Sequence, residues 1–250
     1  MRKLVCALAV RNNGSRLYGK PIQNLDVNTG YRILDFILET IKNQIEVVDD
    51  ICLAISEGAD NETYIKYAQE NNYSYVIGSE QDVLQRLIQA AKEVNATDVL
   101  RITSESPFVS YDLVDKAWRK HLYENNDATF YDEVVDGCGF EIITLESLIS
   151  SHKNGDDTHR SELCTLYIRE NKEHFRIGYL EPDKALIRND LRLTVDNPED
   201  LILCRAIYQD FKQRKEEFKL ENIIAFIDDN VFLKELVLKY TIEGYKSMYK

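Results

Sequence analysis

The chain has 250 residues, 44% hydrophobic and 30% charged, which excludes a disordered chain and fits one large α/β domain or two small ones. Its formal net charge of −12 repels a polyphosphate backbone and excludes general nucleic-acid binding. Small phosphate ligands remain open, because a local cluster of Arg, Lys and backbone N–H groups with a divalent cation reverses the sign locally. Cys6, Cys52, Cys138, Cys164 and Cys204 are widely spaced with no C-x-x-C, so neither a zinc ribbon nor a redox motif is expected, and a reducing cytoplasm fits.

The first element is the apolar run Leu4–Val10, read as a strand buried on both faces. RNNGSR follows it where a signal peptide would need a small-residue cleavage site, and no apolar stretch approaches membrane-spanning length. Ile33, Leu34, Ile37, Leu38, Ile41 and Ile45 recur at helical spacing. Asp50–Ile55 is a second strand, Asp60 and Asn61 cap the next helix, Tyr73–Ile77 is a third strand, Asp82–Val94 is helical and Asp98–Thr103 is a fourth strand. Strands alternating with helices imply right-handed βαβ units, hence a three-layer α/β/α, Rossmann-like fold with a mostly parallel sheet. Further on, Leu113–Leu122 reads as helix, Ala128–Tyr131 and Gly139–Ile143 as strands, and Leu145–Lys153 and Ser161–Glu170 as helices. Phe175–Leu180 and Leu191–Val195 read as strands, and a long helix runs from Pro198 to about Lys219. Residues 1–215 form the main domain, and 216–250 a helical extension packed on that domain or on a partner.

Ligands in such folds bind at the carboxyl ends of the strands. The polar segments there are Arg11–Lys20, Ser56–Asp60, Gly78–Asp82 and Ser104–Pro107. The first, RNNGSRLYGK, is neither G-x-x-x-x-G-K-[ST] nor G-x-G-x-x-G; the missing second pattern argues against a Rossmann oxidoreductase. Its glycines permit unusual backbone angles, its N–H groups can form an anion nest, and Arg11, Arg16 and Lys20 can neutralise a triphosphate. On these residues alone, a phosphate grip and a solvated basic turn are equally good readings.

AVRNNGSRLYGKPI resembles the A-R-x-x-S-x-R-L-P-G-K opening of the cytidylyltransferases that activate acidic sugars, and the SpsF-like branch above all. Tyr18 stands in place of that proline. Gly78, Ser79, Asp82, Val83, Leu84 and Arg86 match G-S-x-x-D-V-L-x-R, and Arg101, Ile102, Thr103 and Pro107 match R-I-T-G-D-x-P. Glu162 and Thr165 match part of R-E-H-V-T-P, with Leu163 at the histidine, and Asp190–Asp200 matches D-x-R-L-T-V-D-T-P-E-D nearly throughout, with Asn197 at the second threonine. The resemblance implies a fold of the nucleotide-diphospho-sugar transferase type. It implies an enzyme that transfers CMP from CTP to an acidic sugar or a phosphorylated or phosphonate acceptor for surface glycan synthesis, releasing pyrophosphate. A guanylyl- or cytidylyltransferase acting on a sugar 1-phosphate, and a non-catalytic nucleotide-binding homologue, are the alternatives. It also implies a cytoplasmic homodimer.

Within that resemblance, Arg11, Arg16, Lys20 and Arg101 are the catalytic cations. Ala9, Val10, Asn13, Gly14, Ser15, Ser79, Asp82, Arg86 and Thr103 bind the nucleotide. Glu105 and Asp196 hold Mg2+, whose preference for carboxylate oxygens and retained waters suits two acids at strand ends. His159, Arg160 and Glu162 face the acceptor. Plainer roles stay open: a turn residue for Glu105, a helix N-cap for Asp196 and for Asp82, an edge ion pair for Arg101, and a structural ring for His159.

Overall fold

The computed structural model describes residues 2–247. In chain order the strands are β1 Leu4–Val10, β2 Asn24–Asp26, β3 Tyr31–Arg32, β4 Val48–Ser56, β5 Ser74–Gly78, β6 Asp98–Arg101, β7 Ala128–Tyr131, β8 Phe140–Thr144 and β9 Ile177–Tyr179. The helices are α1 Ile33–Gln44, α2 Glu62–Glu70, α3 Val83–Glu93, α4 Val114–Tyr123, α5 Leu145–Asn154, α6 Asp157–Arg160, α7 Leu166–Glu170, α8 Pro198–Arg214, α9 Leu220–Asp229 and α10 Val231–Ser247.

Seven strands form one sheet in the order β5-β4-β1-β6-β8-β7-β9. β5, β4, β1 and β6 run parallel, while β8 is antiparallel to both β6 and β7. The alternation of β1 sorts the layers, because successive side chains point to opposite faces. Leu4, Cys6, Leu8 and Val10 join a core with Leu34, Ile37 and Ile41 of α1, Val114 of α4 and Ile207 of α8. Val5 and Ala7 join the opposite core with Leu84, Leu87 and Ile88 of α3, Leu148 of α5 and Ile168 of α7. The chain is therefore the expected three-layer α/β/α protein. Among the described residues no helix is long and apolar enough to cross a membrane.

Four local expectations change. Leu191–Val195 is not a strand: Leu193 N–H bonds Asp136 O at 2.7 Å and Val195 N–H bonds Glu105 O at 3.0 Å, so the segment ties two loops together. Only Arg192 forms a bridge, to Asp136. Of the helix expected over Ser161–Glu170 only α7 forms, while the short α6 precedes the span; between them the Thr165 hydroxyl donates to Glu141 at 2.8 Å. The helix from Pro198 ends at Arg214, with Lys215 in the left-handed region at φ 56°. The turn carries Phe218 into an aromatic cluster with Phe36, Phe108, Tyr208 and Phe211. Finally, neither Asp60 nor Asn61 caps α2 through its side chain. The helical tail packs on this chain: Leu220, Ile223 and Ile227 of α9 and Val237 of α10 belong to the first core.

Candidate active site

The carboxyl ends of β1 and β6 open into a cleft. The loop after β1, the first turns of α3, the segment Arg101–Glu105 and Glu162 wall it. The loop is held from beneath by Asn12, a residue that the sequence reading passed over. Asn12 is 3% exposed. Its backbone N–H donates to Asn61 Oδ1 at 2.8 Å, and its Oδ1 accepts from the Tyr64 hydroxyl at 2.8 Å. Gly19 N–H donates to Asn12 O at 2.8 Å and closes the loop. Gly19 sits at φ +61°, and a Cβ on Gly14 would overlap Leu17 O, so both glycines are required by the turn. Nothing in the one-letter pattern separates Asn12 from Asn13; only burial does, and Asn13 is exposed, donating to Glu80 at 3.1 Å.

Three cations converge on Asp196. Lys20 Nζ lies 2.5 Å from Oδ1 and Arg16 lies 3.3 Å from Oδ2, while Arg192 also donates to Oδ2. Arg192, 3% exposed, reaches Asp136 at 3.2 Å and Asp200 at 3.1 Å. Asp200 in turn accepts from Asp196 N–H and Asn197 N–H. Asn197 and Asp200 thus form the capping box of α8, which leaves the Asp196 side chain to the loop cations. Burial pushes the Asp196 carboxyl up, but Lys20, Arg192 and Arg16 outweigh it and hold it below the usual carboxylate range.

Glu105 is provided for differently. Its only side-chain hydrogen bond among the described residues comes from the Ser104 hydroxyl at 3.3 Å. Burial raises its carboxyl; Lys20 opposes this, the charges of Asp196 and Glu162 add to it, and the net shift is upward. Glu105 is thus a half-buried carboxylate short of positive charge, the kind of oxygen donor a hard divalent cation prefers, whereas Asp196, whose charge adds to the load on Glu105, already holds three protein cations and lies outside the cleft lining. Among the described residues no three His, Cys, Asp or Glu side chains converge as a closed cage, so a cation here would keep water or substrate oxygens.

Arg101 Nη1 donates to Glu141 at 2.6 Å and Nη2 to Glu162 O at 2.6 Å. The Glu162 carboxylate pairs with Arg11, bringing both residues to the cleft wall. Ala9, Val10, Asn13, Gly14, Arg86 and Thr103 also line the cleft. Arg86 is 1% exposed and acts as a strut, donating to Ala54 O at 2.9 Å and Val10 O at 3.4 Å. Ser15 and Arg16 are exposed and outside the lining. Ser79 and Asp82 are also outside it and do local work. Ser79 Oγ accepts from Gln81 N–H at 3.2 Å, and Asp82 caps α3 through Gln85 N–H while its Oδ2 meets His152 at 2.7 Å. Of the three acceptor-side candidates only Glu162 reaches the cleft. His159 is clamped between Asp156 and Glu170, at 2.8 and 2.9 Å. Arg160 donates to His152 O and Gly155 O. Both residues close the α5–α6 corner.

The cytidylyltransferase family profile matches residues 5–236. An uncharacterised protein of Methanocaldococcus jannaschii is 28% identical over 98% of this chain and 99% of its own length. The spore coat polysaccharide biosynthesis protein SpsF of Bacillus subtilis is 25% identical over 86% of this chain and 90% of its own. Among solved structures, a cytidylyltransferase of Leptospira borgpetersenii superposes with a TM-score of 0.82 at 22% identity, covering 93% of this chain and 97% of that one. A CMP:2-keto-3-deoxy-manno-octonic acid synthetase complexed with CTP gives a TM-score of 0.61 at 14% identity, over 83% of this chain and 99% of its own. The chain belongs to the cytidylyltransferase family and is a nucleotidyltransferase.

Proposed function

We propose that the chain transfers CMP from CTP to an acidic sugar or a phosphorylated or phosphonate acceptor, releasing pyrophosphate and supplying an activated unit for surface glycan synthesis. An acceptor oxygen attacks the α-phosphorus, the bond to the oxygen bridging the β-phosphorus breaks, and pyrophosphate leaves with the electron pair. The observation that carries this reading is the pairing of the Lys20-bearing loop with Asp196, with Glu105 beside them. Arg11, Arg16 and Lys20 exchange their protein carboxylates for phosphate oxygens and hold the leaving group. Glu105 and Asp196 would hold Mg2+, which when bound neutralises triphosphate charge and helps align the displacement. The buried supports of the loop fix it before substrate arrives, so positioning and electrostatics carry the rate.

A pyrophosphate-release screen of the four nucleoside triphosphates against keto-acid sugars, sugar phosphates and phosphonates tests this. CTP with one acceptor class is expected to turn over in the presence of Mg2+. Triphosphate binding without release under any acceptor would mark a non-catalytic binding protein instead.

A further inference from the structure

A second cavity adjoins the nucleotide cleft on the antiparallel side of the sheet and shares Arg101, Thr103 and Glu105 with it. Its wall joins apolar surface from Val134, Val135 and Phe140 to the carboxylates of Asp132, Asp136 and Glu141. Every guanidinium nearby is already committed to these acids. Arg101 and Arg169 meet Glu141 at 2.6 and 2.8 Å, Arg169 meets Asp132 at 2.6 Å, and Arg192 meets Asp136 at 3.2 Å. Among the described residues no lysine or histidine lines the space. Asp132 gives Oδ2 to Arg169, and its Oδ1 takes no hydrogen bond among the described residues.

We propose that this cavity holds the body of the acceptor, and that this body is a hydroxyl-rich or amino-bearing ring without a carboxylate. The inference rests on the cytidylyl-transfer reading and narrows its acceptor to a hexose or hexosamine phosphate. Three observations carry it. The cavity shares an edge with the nucleotide cleft, so a bound ring places its phosphate beside CTP. The wall offers apolar contact for the C–H face of a sugar ring and acceptor oxygens for its O–H or N–H groups. An anionic ring would face three carboxylates and could gain a guanidinium only by stripping it from one of them, leaving that acid buried without its partner. An acceptor phosphate oxygen attacks the α-phosphorus as an anion, so the new P–O bond forms and pyrophosphate departs without a proton transfer.

The test measures pyrophosphate release from CTP with glucose 1-phosphate, glucosamine 1-phosphate, glucuronic acid 1-phosphate and a 2-keto acid sugar. The first two are expected to exceed glucuronic acid 1-phosphate in kcat/KM by about thirtyfold, the scale of one unpaired buried polar group. Asp132→Asn is expected to lower kcat/KM for glucosamine 1-phosphate about tenfold more than for glucose 1-phosphate, the loss of one charge contact, with KM for CTP unchanged and Tm reporting the fold. Equal use of the uronic acid overturns the inference. So does turnover with the keto acid alone, which leaves cytidylyl transfer standing. No release with any acceptor overturns the proposed function, and the inference falls with it.

Discussion

The two halves of the sheet prepare the cleft in opposite ways. The parallel half, β5-β4-β1-β6, contributes a loop whose shape is set by backbone and buried amide contacts around Asn12. The antiparallel half, with the loops that return to it, contributes side-chain charge pairs: Arg101 with Glu141, Arg169 with Asp132 and Glu141, and Arg192 with Asp136, Asp196 and Asp200. Backbone donors need no counter-charge and can wait for an anion, whereas buried charges must be matched before substrate comes. The first half is therefore built to accept phosphate, and the second to hold carboxylates in place.

The largest expected effect breaks the second half. Arg192→Leu leaves Asp136, Asp196 and Asp200 facing one another and is expected to lower stability by about 3–5 kcal/mol, the range for stripping one partner from a buried pair; denaturant unfolding measures it, and a loss under about 1 kcal/mol would show that the network is incidental. Next, Lys20→Ala breaks the contact between the halves. It is expected to lower kcat/KM with CTP by about 10²–10³-fold, the scale of one lost donor to a developing charge, while Tm changes little. Gly14→Ala sharpens the first half, since the added Cβ meets Leu17 O. KM for CTP is expected to rise about tenfold, or ~1.4 kcal/mol, with the core intact; an unchanged KM would mean that the loop is not rigid.

The smallest effect has the opposite sign. The folded Glu105 pKa lies above its ordinary value, so folding favours the protonated acid. The ionised side chain therefore lowers stability above the folded pKa, and that penalty disappears as pH falls below the usual glutamate range. Glu105→Gln is expected to stabilise the substrate-free protein by about 1 kcal/mol at neutral pH, as site-relieving changes do, and to match the wild type near about pH 4. Equal unfolding curves at neutral pH would remove the claim that Glu105 stands uncompensated.

Much of this architecture was legible because it rests on apolar periodicity. Leu4–Val10 and Ala128–Tyr131 were bounded as they stand, and the α1 and α3 stripes fall on the two cores as their spacing requires. The ordered matches around Arg11–Lys20 and Asp190–Asp200 led to the family. What escaped the sequence depends on partners distant along the chain. Asn12 meets Asn61 and Tyr64, Glu141 meets Arg169, and Leu191–Val195 looks like a strand until its N–H groups are seen to bond two separate loops. His159 and Arg160 carry suitable chemistry, yet they satisfy the α5–α6 corner instead.

Binding of CTP with and without Mg2+, by calorimetry on the wild type and on Glu105→Gln, tests the pairing of the phosphate loop with the two carboxylates most directly. Wild-type affinity is expected to strengthen on adding Mg2+ by about tenfold or more, and this enhancement is expected to vanish in Glu105→Gln while metal-free binding persists. An enhancement that survives the substitution, or its absence in the wild type, would contradict the account.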